Sequence, residues 1–189
     1  TTATTALNGI GNVRVRQGDD AAGASFFLRA SELSDFRFDD AIENYVACLV
    51  RLQRQQEAID LLNRVLRARP TAVRIRVLLA RVHKNLGNEA QAVTALREGL
   101  AASPYNALLA NTLAETLATS SGATLEAGRE AVRWAQRAVD VAMPDKTCEY
   151  LGTLAAAHAR AGDFRQAVAT AEQALRMAES SGDNTCRQR

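Results

Sequence analysis

Catalysis and metal binding need side chains within reach of one another, and this sequence offers few such sets. Its two histidines, His83 and His158, occupy corresponding places in the third and fifth of the repeating units described below. If helices stack at about 8–10 Å, the intervening layers hold the two rings at least roughly 20 Å apart, too far to share a metal or a substrate. Each is read as a packed, partly buried histidine standing in for an aromatic ring. The three cysteines, Cys48, Cys148 and Cys186, are odd in number and widely spaced. Their number and spacing exclude a C-x-x-C site and give no disulfide framework to expect. Cys48 lies among Val46, Leu49 and Val50, where a small hydrophobe packs well; exposure is left open for Cys148 and Cys186, and so is the redox compartment. Gly9 and Gly11 are no phosphate cradle, because no strand precedes them and no Gly-Lys-Ser/Thr follows. No serine, cysteine or aspartate stands in a nucleophile motif. The expectation is a chain that is no enzyme and holds no metal and no cofactor.

The elements that must position any site are helices. Alanine fills 37 of 189 positions, aromatic residues make up only 5%, and there are three prolines. Such a composition favours helix, and β-branched residues nowhere gather into the alternating runs of strands. A net charge of +2 is too small for a phosphate-binding face, which argues against nucleic acid. Positive charge comes almost wholly from arginine, with lysine only at Lys84 and Lys146, as in a GC-rich bacterial genome, and arginine suits fork-like pairing with carboxylates. No apolar run approaches the ~18 residues of a membrane span, so no membrane insertion is expected. The chain opens Thr1-Thr2 without methionine and is read as a piece of a longer protein; its localisation stays unknown.

Punctuation reveals a period. Pro70 and Pro104 lie 34 residues apart, each closing an apolar-periodic stretch. Aligned on them, units begin near Asp39, Val73 and Ala107, with Ala58 matching Ala92 and Leu62 matching Leu96. The same ruler fits a first unit, with Gly18, Gly23, Phe27 and Ala30 in register, and a fifth, with Leu154, Gly162, Ala167 and Ala174. Each unit reads as two amphipathic helices joined by a tight turn. In Leu86-Gly87-Asn88-Glu89-Ala90-Gln91, Gly87 closes one helix, and Asn88 with Gln91 is expected to cap the next; Ala161-Gly162-Asp163 repeats the device. Turns are expected near Gly18, Gln53, Gly87, Gly122 and Gly162. Ala58, Ala92, Ala131 and Ala167 are expected to be buried contact points, since only small side chains let axes approach to about 8–10 Å. The fourth unit carries about six extra residues around Thr119 to Thr124, with Thr124 as a helix cap and Pro144 as its proline. Trp134, on its second helix, is expected to pack against the fifth unit, with an exposed binding anchor as the alternative.

A 34-residue helix-turn-helix unit with an alanine early in its second helix and a closing proline resembles the tetratricopeptide repeat (TPR). The resemblance covers about residues 4 to 181. It implies an all-α, right-handed superhelical solenoid of about five repeats, near 4–37, 39–72, 73–106, 107–145 and 148–181, forming a single array over 1–181 with a polar tail at 182–189. The departures are Leu49, His83, Leu117 and His158 at the late aromatic place of the first helix, Arg14 there in the first unit, and a missing early tryptophan.

The resemblance also implies a protein-interaction scaffold whose first helices line a concave groove for a partner peptide or helix. By register the groove includes Asn8, Asn12, Arg16, Glu43, Asn44, Arg51, Arg74, Arg81, Lys84, Asn85, Asn111, Glu115 and Arg160. This set is polar and mildly basic. Asparagine can pair with a peptide amide and arginine with a carboxylate, which points to an acidic partner. Asn12, Asn44 and Arg74 partly match the carboxylate clamp of chaperone-binding relatives, with Asn8 where that clamp needs a lysine. The competing reading of the same charges is a solvated helix face. Two alternatives stand beside the scaffold: a non-catalytic accessory domain of a larger enzyme (glycosyltransferase, kinase or multihaem cytochrome), and RNA binding of the pentatricopeptide kind, which the near-neutral charge disfavours. Self-association through the last apolar face, around Leu175, is a further expectation.

Overall fold

The computed structural model describes residues 2–122 and 124–181, without the side chains of residues 145, 180 and 181; the polar tail and Cys186 lie outside the described residues. Among these there are ten α-helices and no strand. They fall into two compact units, one running to Gly87 and one starting at Asn88, so the third 34-residue period is divided at its own turn.

The first unit holds α1 (Thr2–Arg16), α2 (Asp20–Leu33), α3 (Asp39–Arg51), α4 (Gln55–Ala68) and α5 (Val73–Asn85). Consecutive helices pack against each other, and α3 also touches both α1 and α5. The α4 sequence shows why: Ala58, Ile59, Leu61, Leu62, Val65 and Leu66 recur at helical spacing and all are buried, while Gln56, Glu57, Asp60 and Arg67 face solvent. Apolar side chains of this size contribute about 1.5–3 kcal/mol each on full burial, so the stripe rather than intrinsic helix propensity holds the element in place. Between α1 and α2 the approach is close enough to demand glycine. A Cβ on Gly11 would sit 2.5 Å from the Phe27 ring, and one on Gly23 2.5 Å from Val15.

The second unit holds α6 (Glu89–Ala102), α7 (Ala107–Thr119), α8 (Leu125–Asp140), α9 (Pro144–Arg160) and α10 (Phe164–Ser181). Neighbours again pack in sequence, and α7 touches α9. Gly128 on α8 lies against the end of α9, where an added Cβ would fall 2.6 Å from the Ala161 backbone nitrogen.

The expected helix starts at Asp39, Val73 and Ala107 coincide with α3, α5 and α7. Gly18, Gly87 and Gly162 have positive φ at the expected turns, and at the equivalent α3–α4 turn Gln53 takes φ 59, a conformation that costs a side-chain-bearing residue about 1–2 kcal/mol. There the chain is held by Arg54 N–H donating to Leu49 O and Gln53 N–H to Val50 O. Thr124 caps α8 by accepting from Ala127 N–H. Three local expectations are corrected. Asn88 makes no side-chain capping bond. Pro144 opens α9 instead of closing the fourth unit, because the first helical position needs no N–H and proline presets its φ; the fifth unit's first helix thus starts four residues ahead of the expected 148. Ala58, Ala92 and Ala131 are fully buried, but Ala167 is only half-buried, since α10 is covered by described residues on one side only. Cys148, whose exposure was open, is buried.

Candidate interaction surfaces

In the first unit the candidate groove residues sit on α1, α3 and α5, and the structure brings several of them together. Asn44 donates from Nδ2 to Asn8 Oδ1 at 3.0 Å, tying α3 to α1. Arg74 on α5 donates to Glu43 at 2.9 Å and to Asp40 at 2.8 Å, both on α3. These bonds push its guanidinium pKa further up. Arg51 donates to both oxygens of Asp20 at 2.9 Å, and that bond holds the Asp20 carboxyl below its ordinary range. Asn12, Arg16, Arg81 and Asn85 are exposed, and Lys84 is half-buried. Two of the three residues matching the clamp are therefore engaged inside the chain: an incoming carboxylate would compete with Asp40 and Glu43 for Arg74 and with Asn8 for the Asn44 amide. Partly exposed pairs of this kind contribute about 0–1 kcal/mol, so the competition is winnable, but their first effect is to register one helix against the next.

In the second unit Asn111 is 3% exposed, with its Oδ1 buried and unpartnered. Arg160 reaches back from α9 to the end of α7, donating to the carbonyls of Ala118 at 2.8 Å and Ser120 at 3.4 Å. It satisfies carbonyls the helix leaves open and complements the negative end of its dipole. Glu115 lies on the rim of an open trough of about 730 Å3. Small side chains form much of the lining: Ala118 on α7, Gly152, Ala155 and Ala156 on α9, and Ala171 on α10, with Leu175 at one side. A Cβ on Gly152 would meet nothing within 4 Å. Sequence reasoning named Glu115 and missed this floor, because alanine and glycine signal close packing and open floor alike.

The remaining candidate groups are separate from these surfaces. The His83 ring is held below its ordinary pKa by burial and its Nδ1 has no partner; His158 Nδ1 lies 4.0 Å from Asp163. Cys48 is fully buried, where desolvation pushes its thiol pKa up. Among the described residues no group of three histidine, cysteine or acidic side chains could hold a metal ion, and no helix is long and apolar enough to cross a membrane. Trp134 is half-buried, and its neighbours correct the expectation: Arg137 and Glu130 on its own helix, and Leu100, Ala101 and Pro104 from the third repeat rather than the fifth.

Residues 49–116 match the model of the family described as tetratricopeptide repeat. No curated protein matches the chain. Solved structures do: MamA (41-end) from Desulfovibrio magneticus RS-1 is 18% identical, covers 97% of this chain and 99% of its own, and has a TM-score of 0.65. The thermophilic TPR protein TTC0263 from Thermus thermophilus is 18% identical over 98% of this chain and 95% of its own, with a TM-score of 0.66. YrrB, described as a TPR protein with an unusual peptide-binding site, is 15% identical over 95% and 87%, with a TM-score of 0.59. The tetratricopeptide repeat model thus covers residues 49–116, and the solved TPR structures share the helical fold along nearly the whole chain.

Proposed function

We propose that this chain is a protein-interaction scaffold that receives a helix of a partner protein in the trough of its second unit. The observation that carries this reading is a register comparison. Val168, Ala171 and Leu175 of α10 occupy the places held by Ile59, Leu62 and Leu66 in α4 and by Val93, Leu96 and Leu100 in α6. In α4 all three are buried, and in α6 Leu96 and Leu100 are; each of these helices packs on the one that follows. On α10 the same apolar set is exposed, beside the small-residue floor of α9. A helix with large apolar side chains at i, i+3, i+4 and i+7 matches such a surface, laying knobs over alanine and glycine, while Glu115 on the rim offers a carboxylate to a basic flank. YrrB supports the general idea that this fold holds peptides. In the first unit the polar set of Asn12, Arg16, Arg81, Lys84 and Asn85 belongs to the same proposal as a separate, acid-favouring surface, and the five repeats over 1–181 are read with it as one array.

Photo-cross-linking tests this reading. A benzophenone amino acid placed at Gly152 enters open space without disturbing α9, and the same residue at the exposed Asp60 serves as the control. The expected result is a discrete cross-linked partner from position 152 whose modified residues lie on one face of a helix. Equal labelling from position 60, or labelling confined to a second copy of this chain, would overturn the partner-helix assignment.

A further inference from the structure

A second surface lies away from the trough, where α8 meets the turn between α6 and α7. The Arg137 guanidinium carbon lies 5.2 Å from the centroid of the Tyr105 ring and 5.6 Å from that of Trp134, both within the range at which a ring face attracts a cation. Arg51, Arg69, Arg74 and Arg97 each reach a carboxylate on another helix. Arg137 instead faces two rings, and no carboxylate of the described residues pairs with it. Glu130, which bonds Trp134, is already occupied: it accepts from Arg97 through both oxygens at 2.8 and 2.9 Å and from Trp134 Nε1 at 3.3 Å. Partial burial would raise the Glu130 pKa, but those bonds and the charge of Arg133 outweigh it and keep the group ionised. The oxygens of Glu130 are thus engaged by Arg97 and Trp134, and the charge of Arg137 is met by rings rather than by a carboxylate.

Beside the stacked guanidinium is a hollow of about 260 Å3 lined by Arg97, Leu100, Ala101, Pro104, Trp134 and Arg137. It is below the roughly 300–1,000 Å3 of sites for drug-sized ligands and suits one large side chain. Tyr105 remains 78% exposed, so its ring adds little to the core while holding Arg137 in place. Tryptophan, tyrosine and arginine are the types enriched where interfaces concentrate their binding energy, and an arginine pre-ordered between rings loses little freedom when it forms a forked bond.

We propose that this hollow is a second peptide-binding site, independent of the trough, and that it takes a segment presenting a carboxylate beside a large apolar side chain. The carboxylate meets the free edge of the Arg137 guanidinium, and the apolar side chain enters the hollow against Trp134, Leu100 and Pro104. The carboxylate can come from an acidic side chain or from a chain terminus, and the two sources are separable.

Trp134 is the only tryptophan in the chain, so intrinsic fluorescence reports on this site directly. The probes are the capped hexapeptide Gly-Gly-Phe-Glu-Gly-Gly, its Phe-Gln and Ala-Glu counterparts, and Gly-Gly-Gly-Phe with a free or an amidated C-terminus, titrated at low and high salt. The expected result is a saturable change with the Phe-Glu peptide or the free-terminus peptide, weakened at least tenfold by Glu→Gln, by Phe→Ala or by amidation, and weakened by salt. Which of the two binds identifies the source of the carboxylate. Arg137→Gln should reduce affinity at least tenfold, and Tyr105→Ala, at an exposed turn, should weaken binding without changing the melting curve. Equal binding of the Phe-Gln peptide, unchanged affinity in both variants, or no saturable change with any probe up to millimolar concentration would overturn the proposal.

Discussion

Replacing glycine by alanine should have opposite effects at two positions of the second unit. Both glycines lie inside helices, where alanine is intrinsically better by about 0.8–1.0 kcal/mol. At Gly152 the new methyl meets nothing within 4 Å, so that gain is expressed nearly in full. At Gly128 the methyl would fall 2.6 Å from Ala161 N, 2.7 Å from Arg160 C and 2.8 Å from Ala161 Cα. These are backbone atoms at the end of α9 and cannot swing aside as a side-chain tip does; α8 must shift away, loosening the packing of Ala131, Ala135 and Ala138, all fully buried. Overpacking of this kind costs about 1–3 kcal/mol, occasionally more. With three backbone atoms inside 3.0 Å the cost falls in the upper part of that range, about 2–3 kcal/mol, so less the propensity gain Gly128→Ala should destabilise by about 1–2 kcal/mol, while Gly152→Ala stabilises by up to about 1 kcal/mol. For a chain of this length each kcal/mol moves the melting midpoint by about 2–4 °C. Circular dichroism during thermal and urea unfolding reads both, using the transition of the second unit if the two units unfold separately, as repeat proteins can. A Gly128→Ala variant at least as stable as the wild type would refute the close α8–α9 approach.

Three further outcomes follow from the same packing. Ala92, fully buried, should cost about 1–3 kcal/mol when replaced by leucine, read as a lowered urea midpoint; an unchanged midpoint would contradict a close crossing there. Gln53→Gly should stabilise by about 0.5–1 kcal/mol by relieving its positive φ, and a destabilised variant would show that the Gln53 side chain matters more than its backbone. His83 is held neutral by burial, so its folded pKa lies below its unfolded one. Its contribution is intact above the ordinary histidine range of about 6.5 and is lost as pH falls through that range towards the folded value. His83→Gln should flatten this part of the stability profile, and an unaltered slope would assign it to other groups.

What the sequence displayed was mostly local. Proline, glycine and the alanine register report on the backbone of their own turn, and so the starts at Asp39, Val73 and Ala107, the positive φ at Gly18, Gly87 and Gly162 and the Thr124 cap were all legible. Pro144 was misread because proline suits both the end of one helix and the first turn of the next, and only the absence of a following break separates the two. Ala167 was placed by register alone, which cannot say whether anything covers the helix that carries it. The candidate site was harder to read. An arginine reaches far enough to choose among several partners, and nothing near Arg74 or Arg160 in sequence announces Glu43, Asp40 or the end of α7. The stacking of Arg137 between Tyr105 and Trp134 joins residues from two helical hairpins, and the floor of the trough is built from residue types that equally mark tight packing.

The central claim is that the second unit receives a partner helix over Gly152, Ala156 and Leu175. The measurement that tests it most directly is the affinity of the cross-linked partner's helical segment, as a synthetic peptide, for the wild-type chain and for Gly152→Trp. That substitution fills the trough from a position with open space around it, so the melting curve should hold while the dissociation constant rises at least tenfold. An unchanged dissociation constant, with the indole filling the trough and the fold intact, would contradict the account.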